Sequence, residues 1–424
     1  MRGIVWLLVV AVVAVVTAAV MGRSSDLVSI YWAPWRIDLS LNLFLVLVGL
    51  VGLATVVLVN AVITLLGLPG RARAWRLSQR NRKAQNALRE AMVLYWAGRY
   101  TRAHGAATHA VRLQRESPDL TEDPEFSALA ELLAASSLHR LQDRGRRDEA
   151  LARARAAAAR QARGRTADEA ACLLATEWAV DDRQADAALS RLGELPPGVA
   201  RRTHALRLRL QAARLARQPL EALRTARLLA KHQAFSPVAA QGLLRSLAAE
   251  ALDGARDLDQ LDRIWRELDP ADRRDPHVAA HAAHCLGGLG HDAIARVWLR
   301  PFWDRLDKTD ADGREALALA LAQVSEGLTP DWLPLLERAP LSHPREPALA
   351  YAVGRALAAL QLWGKARQWL EPVADDEALA PSARREAWLL LAAMAEHDRD
   401  ETRAAHALRQ AAHVPLPTPI KSVL

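Results

Sequence analysis

Residues 94–110 read LYWAGRYTRAHGAATHA, and this stretch decides the fold. Gly98 permits a tight turn, so the pattern predicts one helix that ends before the glycine and a second helix that folds back. Small residues recur at Ala103, Ala107 and Ala110, a spacing that places them on one face of the second helix. Because small side chains let two helices approach closely, the stretch predicts a tightly packed helix pair.

The same layout recurs along most of the chain. Further copies align on small residues at positions equivalent to Ala103, namely Ala150, Ala188, Ala222, Ala295, Ala366 and Ala404. The copies are spaced as tetratricopeptide repeats are, except that two gaps are about twice as long. Each long gap predicts one unrecognised helix pair. The sequence therefore predicts eight or nine helix pairs that stack as a tetratricopeptide-like α-solenoid.

The repeats predict an all-α body. Residues 90–326 form the main repeat array, and residues 348–424 form C-terminal repeats and a tail. Residues 327–347 are dense in proline, which interrupts helices, and this segment predicts a connector between the two arrays.

Two apolar runs precede the repeats, Ile4–Met21 and Leu41–Leu66. Each is long enough to cross a bilayer as a helix, and neither contains a charged residue. Residues 1–66 therefore predict a two-helix transmembrane hairpin with a short periplasmic loop, whose Tyr31, Trp32 and Trp35 suit the membrane interface. A cleaved signal peptide is the alternative for the first run, but no clear Ala-x-Ala site follows it.

Residues 67–89 form a basic collar without an acidic residue. Its proposed membrane-interface residues are Arg71, Arg73, Arg76, Arg80, Arg82 and Lys83. Positive charge beside a membrane helix predicts that both chain termini are cytoplasmic. The collar accounts for nearly all of the net charge of +8, and residues 90–424 are neutral. Anionic lipid headgroups, and not nucleic acid, are the partner that this distribution predicts.

Three histidines are the candidate ligand residues. His277, His281 and His284 lie on one stripe of a predicted helix that Pro276 opens. Imidazoles at this spacing suit a metal ion or a haem iron, although they also suit ordinary polar positions on a helix. The two cysteines, Cys172 and Cys285, are too far apart in sequence to predict a disulfide framework. No catalytic motif occurs, and we expect neither an enzyme nor a bound cofactor.

Alignment of the repeats predicts a groove that binds a partner protein. Met92 and Tyr95 lie on the groove side of the first repeat, and Tyr351 and Arg355 take that side in the penultimate repeat. An aromatic side chain and an arginine suit an extended peptide or a helix end. The alternative is that these four residues form ordinary surface.

The N-terminal layout of the chain resembles a known family. After the apolar hairpin the sequence reads GLPGRARAW at 67–75, and the collar leads into ALREAM at 87–92 and AGRY at 97–100. This layout resembles the tetratricopeptide-containing HemY family of proteobacteria. The resemblance implies an inner-membrane protein linked to a late step of protohaem synthesis. It does not extend to the flavin-dependent protoporphyrinogen oxidase that shares the name, since no dinucleotide-binding glycine fingerprint occurs.

Taken with the resemblance, the sequence predicts a membrane-tethered scaffold that organises late haem-biosynthesis enzymes. One alternative is a haem or porphyrin carrier that uses the histidine stripe. Another is a scaffold for envelope quality control, although this chain lacks a cysteine-rich metal knuckle.

Overall fold

The computed structural model of the protein describes residues 27–116, 123–160 and 165–415, together with residues 13 and 17. The first predicted membrane helix therefore lies outside the described residues, apart from those two positions.

The chain divides into two compact units. The first unit comprises Met1–Asp168 and the second comprises Glu169–Leu424. Helices that follow one another in consecutive pairs make up most of both units.

A β-hairpin corrects the expectation of an entirely helical chain. Strands β1 (Leu27–Trp32) and β2 (Trp35–Ser40) pair antiparallel where the sequence predicted a loop. Val28, Ile30, Tyr31 and Trp32 make β1 rich in aromatic and β-branched residues, which favour extended backbone. The hydroxyl of Ser29 donates across the pair to Asp38 at 2.5 Å. Aromatic side chains at the end of the hairpin are exposed, with Trp32 at 77%.

Helix α1 (Leu41–Trp96) is continuous over 56 residues. The hydroxyl of Ser40 caps it by accepting a hydrogen bond from the backbone N–H of Leu43 at 3.4 Å. At 1.5 Å per residue the helix is about 84 Å long. It crosses the predicted boundaries at residues 66 and 89 without a break, so the second apolar run, the collar and the first repeat helix form one element.

The early part of α1 presents apolar side chains to the outside. Leu50 and Leu58, for example, are 60% and 65% exposed. Within the part of the chain that the structure describes, no helix is at once long enough and apolar enough to span a membrane. The membrane hairpin therefore stays a prediction.

Nine consecutive helix pairs, which we call repeats 1 to 9, can be traced through the described residues. In chain order they are α1 with α2 (Tyr100–Arg115), α3 (Pro124–Arg140) with α4 (Arg144–Ala158), α5 (Arg165–Asp181) with α6 (Ala185–Gly193), α7 (Thr203–Leu215) with α8 (Pro219–Lys231), α9 (Pro237–Asp253) with α10 (Leu258–Glu267), α11 (Pro276–Gly288) with α12 (Asp292–Trp303), α13 (Ala311–Gln323) with α14 (Leu333–Ser342), α15 (Pro347–Ala359) with α16 (Trp363–Ala374), and α17 (Pro381–His397) with α18 (Glu401–His413). Repeats 5 and 7 lie in the two long gaps and confirm that each gap holds a helix pair.

Small residues lie where the helices meet, as the sequence predicted. Ala103, Ala107 and Ala110 on α2 have no exposed surface. In the second unit, Leu321 and Leu349 are also fully buried within a core that extends through its later repeats.

The proline-dense segment 327–347 is more than a connector. It contains a short 3-10 turn (Pro330–Trp332) followed by α14. Pro334 occupies the first turn of α14, where proline is compatible with a helix. Trp332 and Leu336 are 4% and 0% exposed, so burial of these side chains secures the segment as the second helix of repeat 7.

A three-residue turn with a left-handed middle residue joins the helices of seven repeats. The middle residues are Gly98, Gln142, Arg183, Arg217, Gly290, Gln361 and Arg399, all with positive φ. In repeat 8, the N–H of Leu362 donates to the carbonyl of Leu357 at 2.9 Å, which closes the helix end as a Schellman motif does. Glycine adopts this conformation without steric cost, whereas other residues do so with strain.

We expect Gln361→Gly to raise the free energy of unfolding by about 0.5–1 kcal/mol, because it relieves the left-handed strain of an exposed turn residue. Chemical denaturation measures the change. Gln361→Ala is the control, since it removes the same side chain but keeps a Cβ. Equal effects of the two substitutions would contradict the explanation.

Candidate interaction surface

In the second unit, the first helices of repeats 5 to 9 lie side by side, because α9, α11, α13, α15 and α17 each contact the next. Polar side chains join neighbouring helices along this series. We call them the first-helix row, and its members are Asp253, His281, His284, Cys285, Gln323, Ser325, Tyr351, Arg355 and Glu386. Stacked repeats expose extended surfaces of this kind for binding.

Two of the three predicted ligand histidines link α11 to its neighbours. His281 Nε2 lies 2.7 Å from Asp253 Oδ1 at the end of α9. His284 Nδ1 lies 2.6 Å from Gln323 Oε1 at the end of α13. The ring centroids of these two histidines are 6.1 Å apart. His277 lies in the first turn of α11, and its buried Nε2 has no hydrogen-bond partner among the described residues.

Cys285 joins the contact between α9 and α11. Its Sγ lies 3.6 Å from the same Asp253 Oδ1 that meets His281. Burial, together with the negative charge of Asp253, raises the pKa of the Cys285 thiol to about 12. The thiol is therefore protonated at neutral pH unless a cation approaches it.

The predicted groove pair in repeat 8 makes contacts within the protein. Tyr351 is 3% exposed, and its hydroxyl donates to Glu386 Oε2 at 2.7 Å. Burial raises the pKa of this tyrosine. Arg355 donates from Nε to Ser325 Oγ at 3.2 Å and also forms an ion pair with Glu386. These side chains connect α13, α15 and α17, and partner binding by them stays a prediction.

The predicted groove residues of repeat 1 are half-buried in the first unit. Met92 packs against a core cluster that includes Leu88 and Phe126. The ring of Tyr95 meets the ring of Tyr100 edge-on, with centroids 5.6 Å apart. Both side chains therefore also serve the packing of their own repeat.

The collar residues Arg76, Arg80, Arg82 and Lys83 are exposed on α1. Arg80 Nη1 donates to the carbonyl of Glu116, at the end of α2, at 3.3 Å. The side chains at positions 71 and 73 lie outside the described residues, so Arg71 and Arg73 stay predictions, as does contact between the collar and lipid.

Sequence reasoning missed the partners in the first-helix row. Asp253 and Gln323 are each the last residue of a first helix, and Glu386 lies in the second turn of α17. Alignment of the ends of the first helices would have grouped Asp253 with Gln323. It would not have shown which histidine each one meets.

Residues 27–142 match the family model described as HemY protein N-terminus. The match confirms the resemblance drawn from the sequence, and it covers the β-hairpin and helices α1 to α3. No curated protein sequence matches the chain.

Among solved structures, the crystal structure of the P58(IPK) TPR domain at 2.5 Å is similar over 78% of this chain and 98% of its own length. The identity is 13% and the TM-score is 0.20. The helix pairs themselves, and not this similarity, identify the repeats. Those pairs and the HemY N-terminus indicate a protein-interaction scaffold.

Proposed function

Because residues 27–142 match the family model of the HemY N-terminus, we propose that this protein is a membrane-tethered scaffold for enzymes of a late step of protohaem synthesis. The HemY N-terminal match is the observation that carries the proposal. The link to haem synthesis comes from the family resemblance, and the scaffold role is supported by the series of helix pairs.

The proposed tether is the apolar hairpin of residues 1–66 in the bacterial inner membrane. Its support is the pair of uncharged apolar runs and the exposure of apolar side chains such as Leu50 and Leu58 on α1. The basic collar that follows favours a cytoplasmic repeat region, next to anionic lipid headgroups.

Tethering gives the proposed scaffold its effect. Two enzymes held on one anchored chain meet at effective concentrations in about the millimolar range when the links are short and flexible. Porphyrins dissolve poorly in water, so transfer between neighbouring enzymes limits their loss into lipid. In this proposal the chain binds proteins and performs no chemistry itself.

Deletion of the gene in its native host tests the link to haem. We expect porphyrin intermediates to accumulate and haem to fall, measured by chromatography with fluorescence detection. A plasmid copy of the full chain restores the profile. An unchanged profile in the deletion strain would reject the haem assignment and leave a scaffold for other proteins.

Two further measurements test the tether and the non-catalytic role. The protein is expected to stay with membranes washed in alkaline carbonate, and a C-terminal tag is expected to resist protease added to spheroplasts. Release by carbonate or cleavage of the tag would reject the proposed anchoring or orientation. Turnover of a porphyrinogen by the purified chain alone would reject the non-catalytic role.

A further inference from the structure

Three metal-ligand side chains converge between repeats 5 and 6. A carboxylate oxygen of Asp253, a ring nitrogen of His281 and the sulfur of Cys285 all lie within 4.8 Å of one another. Across the described residues, no other group of three such side chains brings its ligand atoms this close.

The two helices explain the convergence. His281 and Cys285 are four residues apart on α11, so they project from the same face about one turn from each other. Asp253 is the last residue of α9, and its Oδ1 is the common neighbour, 2.7 Å from His281 Nε2 and 3.6 Å from Cys285 Sγ. One small centre therefore collects ligands from two successive first helices.

We propose that Asp253, His281 and Cys285 bind a divalent cation of the zinc class. Thiolate, imidazole and carboxylate together suit Zn²⁺ or Co²⁺, whereas Mg²⁺ and Ca²⁺ prefer oxygen ligands alone. Three protein ligands leave the fourth tetrahedral position to water or to a group from a partner.

Binding of a cation through Cys285 would require its thiol to lose a proton. Without a cation, burial and the nearby carboxylate hold the Cys285 thiol in its protonated form. A bound divalent cation supplies the opposite charge, and the thiol then loses its proton to solvent as the metal–sulfur bond forms. His281 and Cys285 are only half-buried and the Asp253 side chain is 59% exposed, so a cation reaches the centre from solvent.

The site differs from the predicted histidine stripe. It uses only His281 of the three histidines and adds two ligands that the stripe did not include. His284 turns to Gln323 on α13, and His277 lies a full turn before His281. A bound cation would join α9 to α11 and so stiffen the first-helix row. This inference does not depend on the haem assignment.

Cobalt titration of the purified full chain in mild detergent, without a histidine tag, tests the proposal. We expect one Co²⁺ per chain, with a thiolate-to-cobalt absorption band in the near ultraviolet and visible bands typical of tetrahedral cobalt. Zn²⁺ is expected to displace the cobalt and to raise the melting temperature. Mg²⁺ is expected to do neither.

Variants assign the ligands. Cys285→Ala is expected to abolish the near-ultraviolet band, and Asp253→Asn and His281→Gln are expected to weaken Zn²⁺ binding by at least about tenfold. The matched controls are Cys172→Ala and His284→Gln, which change the same residue types outside the centre and should leave binding within about threefold of the parent.

Because the side chains of Asp253 and His281 are accessible, their variants should fold, and circular dichroism checks that they do. These two variants therefore test the site even if Cys285→Ala does not fold. Absence of the thiolate band in the parent chain would overturn the proposal. Equal Zn²⁺ affinity in the parent, Asp253→Asn and His281→Gln proteins would also overturn it.

Discussion

Replacement of Arg296 by methionine is expected to lower the free energy of unfolding of the second unit by about 3 kcal/mol. Arg296 projects from α12 and is 9% exposed. Its Nη1 donates to the carbonyls of Val324 at 2.6 Å and Glu326 at 2.5 Å, and its Nη2 donates to the carbonyl of Gly327 at 3.1 Å.

These carbonyls follow the end of α13, where a helix leaves acceptors without partners in its own backbone. One guanidinium therefore holds the segment between α13 and α14 in place. In repeat 7 this segment is longer than the three-residue turn that joins the helices of seven other repeats. Methionine retains much of the apolar contact of the arginine stem but donates no hydrogen bond. The carbonyls that it leaves unsatisfied near the core account for the expected cost.

Chemical denaturation gives the total change, and hydrogen exchange locates it in residues 311–342. The matched control is Arg338→Met, because Arg338 forms an exposed ion pair with Asp307 at 2.5 Å. An exposed pair contributes less than about 1 kcal/mol. If the two substitutions cost the same, the anchoring role of Arg296 would be refuted.

Substitution of valine for Gly354 is expected to destabilise the second unit by about 2–3 kcal/mol. Gly354 lies on α15 and faces α16. A Cβ at this position would lie 2.7 Å from Leu370 Cγ and 3.3 Å from the carbonyl oxygen of Ala366. Leu370 is fully buried, so it cannot move aside without disturbing its neighbours.

Gly242→Val is the control for Gly354→Val. Gly242 lies within α9, and a Cβ there would meet nothing within 4 Å. Valine at that exposed site should leave stability nearly unchanged or raise it slightly, because it forms helix more readily than glycine does. Thermal unfolding compares the pair. A loss of stability at Gly242 as large as that at Gly354 would contradict the packing explanation.

Local periodicity made much of the fold predictable. The spacing of Ala103, Ala107 and Ala110 predicts which face of the helix is buried. This prediction depends only on helical geometry. The two long gaps likewise predicted repeats 5 and 7, because the repeat length is set by two helices and their connection. The β-hairpin was missed because a short aromatic stretch between apolar runs also suits a membrane-interface loop.

The turns show where sequence signals were too weak. Glycine at positions 98 and 290 predicts a left-handed turn residue. In other repeats, however, Gln361 and Arg399 occupy the same turn position. The Schellman hydrogen bonds and the packing of the two helices hold these residues in the left-handed conformation, which residues other than glycine rarely adopt.

The sequence by itself determined the helical repeats, their approximate number and the HemY-type N-terminal region, because these depend on residue types at short spacing along one chain segment. Only the tertiary structure decided that His281 and Cys285 meet Asp253, that Arg296 holds the end of α13, and that Tyr351 turns inward to Glu386. Those contacts join residues about 30 positions apart, so they depend on the offset between neighbouring helices. That offset follows from how whole helix faces pack, and no local pattern encodes it.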